Sequence, residues 1–194
     1  MPITRFTSAV CVLLMCGCTS APQAPTSQAT NAVKASPLIL EKNEGERRIF
    51  RGWPGHPNPG SVFVLKVDPK NGASSHLVFG TEELPPGETI PTHKHPGPDE
   101  ILFLQTGTAR VLLGDSVREV HGGATVFIPA NTWISVANIG SDTISLAFIF
   151  SAPGFDGFMR AESVREGEKN VPVSKDEDDE IQRTHSHAVI YKEP

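Results

Sequence analysis

A sharp reversal of the chain within residues 87–107 constrains the fold of this sequence more than any other feature. Residues 96–99 read Pro-Gly-Pro-Asp, a combination typical of turns, so we expect a strand on either side of it. Side chains alternate between the two faces of a strand, which places His93 and His95 on one face. Glu100 opens the next strand, alongside the first. The sequence therefore predicts that two imidazoles and one carboxylate converge.

These three side chains form a candidate metal site. Imidazole and carboxylate groups bind first-row divalent ions such as Fe(II), Mn, Ni, Cu or Zn, and three protein ligands leave coordination positions open. A His-x-His pair alone is usually accidental, so the prediction depends on the carboxylate that follows it. We predict that His93, His95 and Glu100 bind one of these divalent ions.

The spacing Gly-x5-His-x-His-x4-Glu-x6-Gly, which runs from Gly87 to Gly107, resembles the first motif of the cupin superfamily. The stretch from 123 to 138 resembles the second cupin motif, with Gly, Pro and Asn at the family's positions. Two residues depart from it. Asn131 stands where Gly is common, and Ile134 stands where cupins have a third histidine ligand. The resemblance implies a small jelly-roll barrel in which three of the four usual metal ligands are present.

Short runs of alternating apolar and polar residues support this fold class independently of the motifs. They follow one another at even spacing between residues 61 and 151, separated by turn residues, a pattern typical of an antiparallel sandwich or barrel. We predict an all-β chain: a double-stranded β-helix, or jelly-roll, cupin barrel with short C-terminal helices. The predicted parts are a signal peptide (1–17), a flexible tether (18–37), an N-terminal arm (38–60), the barrel (61–151) and a C-terminal helical extension (152–194).

The N-terminus resembles an export signal. Arg5 precedes an apolar run that is too short to span a membrane comfortably, and the Leu-Met-Cys-Gly-Cys sequence at 14–18 resembles a bacterial lipobox. We therefore expect lipidation at Cys18 and a membrane-anchored protein of the bacterial cell envelope, in the periplasm or at the outer membrane. The alternative is a secreted protein cleaved nearby. Residues 19–37 are rich in Ala, Pro, Ser, Thr, Gln and Asn, which favours a flexible tether.

Composition excludes several classes of site. All three cysteines lie in or at the end of the export signal, so we expect no disulfide, no catalytic thiol and no thiolate metal ligand in the mature chain. The 17 Lys and Arg residues against 22 Asp and Glu give a net charge of −5, so we expect no nucleic-acid partner. The acidic run at 176–180 is interpreted as the start of a helix capped at Ser174 rather than as a metal site.

Inward neighbours of the two motifs predict the lining of a substrate pocket. By alternation the predicted pocket residues are Leu102, Leu104, Phe127 and Ile134. They favour a hydrophobic or aromatic small ligand, although an apolar lining is equally typical of a packed core. His121 is the candidate to replace the missing ligand, because it immediately precedes the second motif. No catalytic residue is assigned beyond the metal ligands.

Three hypotheses for function follow from this site and its missing histidine. The first is a metal-dependent, dioxygenase-like enzyme that directs oxygen to a small organic substrate. The second is a non-oxidative cupin isomerase or lyase, in which the metal polarises a carbonyl. The third is a cupin lipoprotein that binds or senses a small molecule without catalysis. The family resemblance also implies a homodimer, with the strands near Arg48 and Val62 as its contact.

Overall fold

Short strands and two helices make up the part of the chain that the structure describes. This computed structural model describes residues 35–52 and 61–192, so the predicted signal peptide, Cys18 and most of the predicted tether lie outside that part. The strands are β1 (Glu46–Phe50), β2 (Val62–Val67), β3 (Val78–Leu84), β4 (Thr89–Lys94), β5 (Glu100–Thr106), β6 (Thr108–Leu113), β7 (Ser116–His121), β8 (Thr125–Ile128), β9 (Ile134–Asn138), β10 (Ile144–Phe150), β11 (Ser163–Arg165) and β12 (Ile190–Tyr191). The helices are α1 (Phe155–Ala161) and α2 (Lys175–His185).

The strands form two antiparallel sheets that share one core. One sheet has seven strands in the order β11-β1-β2-β3-β10-β5-β8, and the other has five in the order β12-β4-β9-β6-β7. Alternating apolar side chains from both sheets fill the space between them. Fully buried members of this core include Phe63, Leu65, Val78, Ile134, Ile144 and Phe150. The predicted all-β jelly-roll with short C-terminal helices is confirmed.

The turn at 96–99 carries the chain from one sheet to the other. Strand β4, which contains His93, belongs to the five-stranded sheet, whereas β5, which begins at Glu100, belongs to the seven-stranded sheet. The prediction that these two strands lie side by side is therefore wrong, because the turn bridges two sheets instead of closing a hairpin. Ligands from both sheets consequently meet at one end of the shared core.

Both ends of the described chain extend the sheets beyond the predicted barrel. Strand β1 pairs with β2 and β11, and β12 pairs with β4 through Tyr191 and His93.

The helix predicted at 155–165 is shorter than expected, because α1 is followed by β11. The predicted helix start is confirmed, since the Ser174 hydroxyl accepts a hydrogen bond from the backbone N–H of Glu177. No helix within residues 35–52 and 61–192 is long and apolar enough to cross a membrane.

A buried ionic network fixes α1 to the barrel. The guanidinium of Arg160 contacts Glu46 of β1 at 2.9 Å, Asp68 after β2 at 2.6 Å and Asp156 on its own helix at 2.8 Å. Asp68 is almost fully buried, so its charge is balanced mainly by this guanidinium. The network holds α1 over the end of the core at which the candidate metal ligands lie, and Phe155 from this helix reaches that site.

Candidate metal centre

Hydrogen bonds around the turn hold the His-x-His segment against the second motif. The backbone N–H of Asn131 donates to the carbonyl of His95 at 2.8 Å, and its side-chain amide donates to the carbonyl of Pro96 at 3.2 Å. Asn131 has a φ of 63°, a left-handed conformation that Asn tolerates better than most residues. Asp99 adds a further link by accepting from the backbone N–H of Ala130. The departure from the family's glycine at 131 therefore leaves the turn intact.

The three predicted ligands lie together at one end of the core. One candidate ligand atom from each of His93, His95 and Glu100 lies within 4.8 Å of the other two. All three side chains are buried, with exposed fractions between 2% and 6%, and the two imidazole centroids are 4.9 Å apart. In the part of the chain that the structure describes, no other group of at least three histidine, cysteine and acidic side chains is spaced this closely. The structure thus brings together the residues that the sequence selected.

Backbone carbonyls orient both imidazoles. Nδ1 of His93 donates to the carbonyl of Pro91 at 2.7 Å, and Nδ1 of His95 donates to the carbonyl of Ala188 at 2.8 Å. Because a carbonyl only accepts, Nδ1 carries the proton in each neutral ring, and Nε2 keeps the lone pair that binds metals. The carbonyl of Ala188 comes from the turn after α2, 93 residues along the chain from His95. Nothing in the motif indicates this contact.

The inner atoms of His95 and Glu100 fit a metal ion better than they fit each other. Nε2 of His95 lies 3.4 Å from Oε2 of Glu100, and neither atom has a hydrogen-bond partner among the described residues. An unpaired polar atom inside a protein is unfavourable by about 1–3 kcal/mol. A divalent ion would satisfy both atoms at once, and nitrogen with carboxylate oxygen is a donor set that first-row metals accept.

Burial keeps His93 in the form that binds metals. Burial, reinforced by the neighbouring His95 ring, lowers the pKa of His93 to about 3, although the hydrogen bond to the Pro91 carbonyl opposes this shift. Protons compete with metals for imidazole, and a low pKa removes that competition at neutral pH. His93 is therefore neutral and available to a metal at physiological pH.

Ile134 occupies the position of the family's third histidine. It lies opposite His93 in the pairing of β4 with β9 and is fully buried. The wall next to the metal ligands is therefore apolar, and a bound ion would keep an additional open position. His121 does not replace the missing ligand, because it is exposed at the end of β7, with its Nε2 3.9 Å from Glu119.

A small cavity adjoins the metal ligands and extends into the core. Its volume is about 70 Å³, which corresponds to roughly five water molecules. The site therefore suits a small ligand. Side chains from both sheets and from α1 line it beside His93 and Glu100. The apolar ones include Ile90, Leu102, Val136, Phe148, Phe155 and Met159.

Of the four predicted pocket residues, Leu102 lines this cavity. Leu104 and Ile134 are buried in the core without forming part of the cavity wall. The assignment of Phe127 is wrong, because β8 pairs with β5 so that Phe127 stands opposite Ile101 on the outer face. Its side chain is 54% exposed. Its neighbours in β8 on either side point inward instead.

The C-terminal segment closes the site, a role that neither motif indicates. Tyr191 pairs with His93, lines the cavity, and has its ring centroid 5.6 Å from the imidazole centroid. The Phe155 ring packs edge-on against His95, with centroids 4.6 Å apart. Burial, and then the surrounding carboxylates, raises the pKa of the Tyr191 hydroxyl, so this hydroxyl stays protonated. Aromatic side chains thus restrain both imidazoles and exclude water from them.

One further carboxyl group lines the cavity. Glu82 lies in β3 on the inward-facing row that also contains the buried Val78, Gly80 and Leu84. Burial, together with the nearby Glu100 carboxylate, raises the pKa of Glu82 to about 8. No sequence motif marks Glu82, although alternation along β3 places it on the inner face.

Comparison with known proteins supports the same family. Residues 80–150 match the family model described as a cupin domain. A comparison with curated proteins gave no match. The domain match and the fold support the cupin superfamily for this β-domain.

Three solved structures are similar to this chain at low sequence identity. A predicted oxalate decarboxylase from Thermotoga maritima has a TM-score of 0.53 and 16% identity, over 60% of this chain and 100% of that one. KdgF from a Halomonas species has a TM-score of 0.45 and 16% identity, over 51% and 86% of the two chains. A Bacillus halodurans protein has a TM-score of 0.44 and 22% identity, over 61% and 83%. At 16% identity, the likeness to the Thermotoga maritima protein concerns the fold alone.

Proposed function

We propose that this cupin-domain chain is a metal-dependent, dioxygenase-like enzyme that acts on a small organic substrate. His93, His95 and Glu100 hold a divalent ion at the end of the barrel, and the adjoining cavity holds the substrate. The observation that carries the proposal is the unpaired state of His95 Nε2 and Glu100 Oε2 at a buried site whose imidazoles are already oriented by carbonyls. Such an arrangement is unfavourable without a ligand.

The ligand set favours oxygen chemistry over a purely structural ion. Structural zinc sites are closed by four protein ligands, whereas two histidines and one carboxylate leave positions for substrate and oxygen. When bound, a redox-active divalent metal supplies the means to activate dioxygen and to polarise a chelating substrate. Ile134, which is buried opposite His93 where a fourth ligand would stand, favours this open arrangement.

The chain's own residues position the substrate and exclude water. Leu102 and Phe148 from the seven-stranded sheet face the cavity opposite Val136 from the five-stranded sheet. Phe155 and Tyr191 cover the imidazoles from the C-terminal side. A substrate beside the metal is therefore surrounded mainly by apolar side chains, which strengthens electrostatic interactions at the site and limits side reactions with water.

Oxygen consumption by the metal-loaded chain tests this proposal. The protein, loaded with Fe(II), Mn, Ni or Cu in turn, is mixed with small diketones, thiols and phenols while dissolved oxygen is recorded. We expect metal-dependent uptake that His95→Ala abolishes and the surface variant His76→Ala retains. Turnover without oxygen would instead assign a non-oxidative isomerase or lyase. Thermal stabilisation by a ligand that a chelator does not affect would assign a binding protein.

We also propose that the protein is anchored in the bacterial cell envelope through a lipid on Cys18. The lipobox-like sequence at 14–18 supports this proposal. Radiolabelled palmitate should be incorporated into the wild-type chain and into Cys11→Ala, but not into Cys18→Ala. Palmitate incorporation into Cys18→Ala would contradict the proposal. Release of all three proteins into the medium without label would also contradict it.

A further inference from the structure

Glu82 is a carboxyl group at a position where the fold calls for an apolar residue. Its row in β3 faces the core, and its neighbours in the ladder are Phe63 of β2 and Leu146 of β10, both buried. The residues before and after it on the same face, Gly80 and Leu84, are also buried. A leucine or methionine at 82 would fit this environment without any polar group.

No hydrogen bond or ion pair joins the Glu82 carboxyl group to another described residue, and its partly buried side chain is open to the cavity. The half-buried Glu46 differs in this respect, because Arg48 and Arg160 bind its oxygens at 2.7 and 2.9 Å. Burying a carboxyl group without a partner is unfavourable, and such groups are rare in native proteins unless they have a function. A molecule in the cavity can therefore reach this carboxyl group.

Glu82 faces the cavity that the candidate metal ligands also line. His93 and Glu100 line this cavity together with Glu82, so a molecule that fills it touches both the metal centre and this carboxyl group. The volume of about 70 Å³ limits such a molecule to a handful of non-hydrogen atoms. One end of such a molecule would contact the candidate metal centre, and the other end would contact the Glu82 carboxyl group.

We propose that Glu82 is the second anchor of the substrate and binds a hydroxyl group, while the metal centre holds the oxygen-bearing other end. This inference rests on the proposed function of the metal site and narrows its substrate to short hydroxylated oxygen chelators, such as hydroxylated carboxylic acids. A hydroxyl can donate to an oxygen of the Glu82 carboxyl group, and it adds no second charge among the apolar side chains of the cavity wall.

Calorimetry with two acids that differ by one hydroxyl tests the proposal. The full chain, loaded with Zn(II) to avoid turnover, is titrated with glycerate and with lactate, which lacks the terminal hydroxyl. We expect glycerate to bind about tenfold more tightly, the effect of one hydrogen bond to a buried group. Glu82→Leu should remove this preference. The matched control Glu83→Leu, whose side chain lies on the outer face of the same strand, should keep it.

Thermal unfolding of the metal-free protein gives a readout that a structural role would not produce. If Glu82 serves a ligand rather than the fold, Glu82→Leu and Glu82→Gln raise Tm by about 3 °C, and Glu83→Gln leaves it unchanged. A lower Tm in both Glu82 variants would assign a structural role and overturn the proposal. Equal binding of both acids by wild type, or the absence of binding, would also overturn it.

The same samples separate this proposal from that of the metal site. Metal content is measured in every variant before titration. Glu82→Leu is expected to retain the metal of the wild type, because no ligand atom has been removed. A wild type that binds no metal would defeat the proposed function, whereas a metal-loaded wild type without preference for the hydroxyl defeats the role of Glu82 alone.

Discussion

Restoring the absent fourth ligand is the perturbation that the structure specifies most closely. Ile134 lies opposite His93 in the β4–β9 ladder and is fully buried. Directly opposed residues have Cβ atoms about 4.5–5.5 Å apart, so the imidazole of Ile134→His would enter the same end of the core. We therefore predict that this substitution adds a ligand to the metal centre.

The expected gain in affinity follows from what weaker changes do to metal sites. Altering a residue that only orients a ligand changes affinity by about 10- to 100-fold. A direct ligand should contribute at least the upper value, so we expect a Kd about 100-fold lower, or about 2.7 kcal/mol of binding free energy. Competition with a fluorescent chelator of known affinity measures this difference.

The metal-free variant should be less stable than the wild type. Replacing a fully buried Ile loses about 1.5–3 kcal/mol of apolar burial, and an imidazole without a partner adds a penalty of about 1–3 kcal/mol. Saturating metal recovers most of this loss, because tighter binding to the folded state stabilises it by linkage. The rise in Tm on adding metal should therefore exceed the wild-type rise by about 5–10 °C.

Ile144→His is the matched control for this experiment. Ile144 is equally buried but pairs with Leu84, whereas Phe150, at the other end of β10, pairs with Glu100. The control should lose similar stability and gain no metal affinity. Equal Kd values for the wild type, Ile134→His and Ile144→His would refute the assignment of position 134 as the vacant ligand position.

Three further predictions concern the surroundings of the site. Phe155→Leu should weaken metal binding about tenfold, as expected when a contact that orients a ligand is lost, while Phe158→Leu should not; unchanged affinity in both would contradict the role of the ring packed on the imidazole. Burial, followed by the Asp178 carboxylate, raises the pKa of Glu162 to about 7 from 4.5. Because the folded state holds this proton more tightly, the contribution of Glu162 to stability is greatest below pH 4.5, falls by up to about 3 kcal/mol as pH rises to 7, and is level above it. The difference in unfolding free energy between the wild type and Glu162→Gln, measured with urea, should follow this slope. Parallel pH profiles of the two proteins would contradict the prediction. Arg160→Met should lower the free energy of unfolding by about 3–5 kcal/mol, because it leaves buried carboxylates unpaired, and a loss below 1 kcal/mol would contradict that network.

The metal ligands could be predicted from the sequence because the information is local. The two histidines lie two residues apart on a strand, and a four-residue turn links them to Glu100, so spacing and alternation place the donors on one side. The motif also predicted the jelly-roll. The sheet assignment was wrong for a related reason: a turn sequence fixes a reversal of direction without specifying whether the next strand pairs or crosses to a facing sheet.

The remaining parts of the site depend on contacts between distant residues. Ala188 orients His95 through a backbone carbonyl, which every residue carries, so no side chain marks the contact. Tyr191 reaches His93 by a two-residue strand that is too short to show alternation. Alternation from the second motif assigned Phe127 to the wrong face, because only the register of β8 with β5, which sets Phe127 opposite Ile101, decides which face is inside. Alternation along β3 could have placed Glu82 on the inner face. A carboxylate on a core-facing row, however, is an exception to the apolar pattern that identifies such rows.

Elemental analysis of protein purified without an affinity tag tests the central claim most directly. Wild type and His76→Ala are predicted to carry a divalent metal in stoichiometric amount. His93→Ala and His95→Ala are predicted to carry almost none while keeping the β-rich circular dichroism spectrum of the wild type. Equal metal content in all four proteins would show that His93, His95 and Glu100 do not form the metal centre.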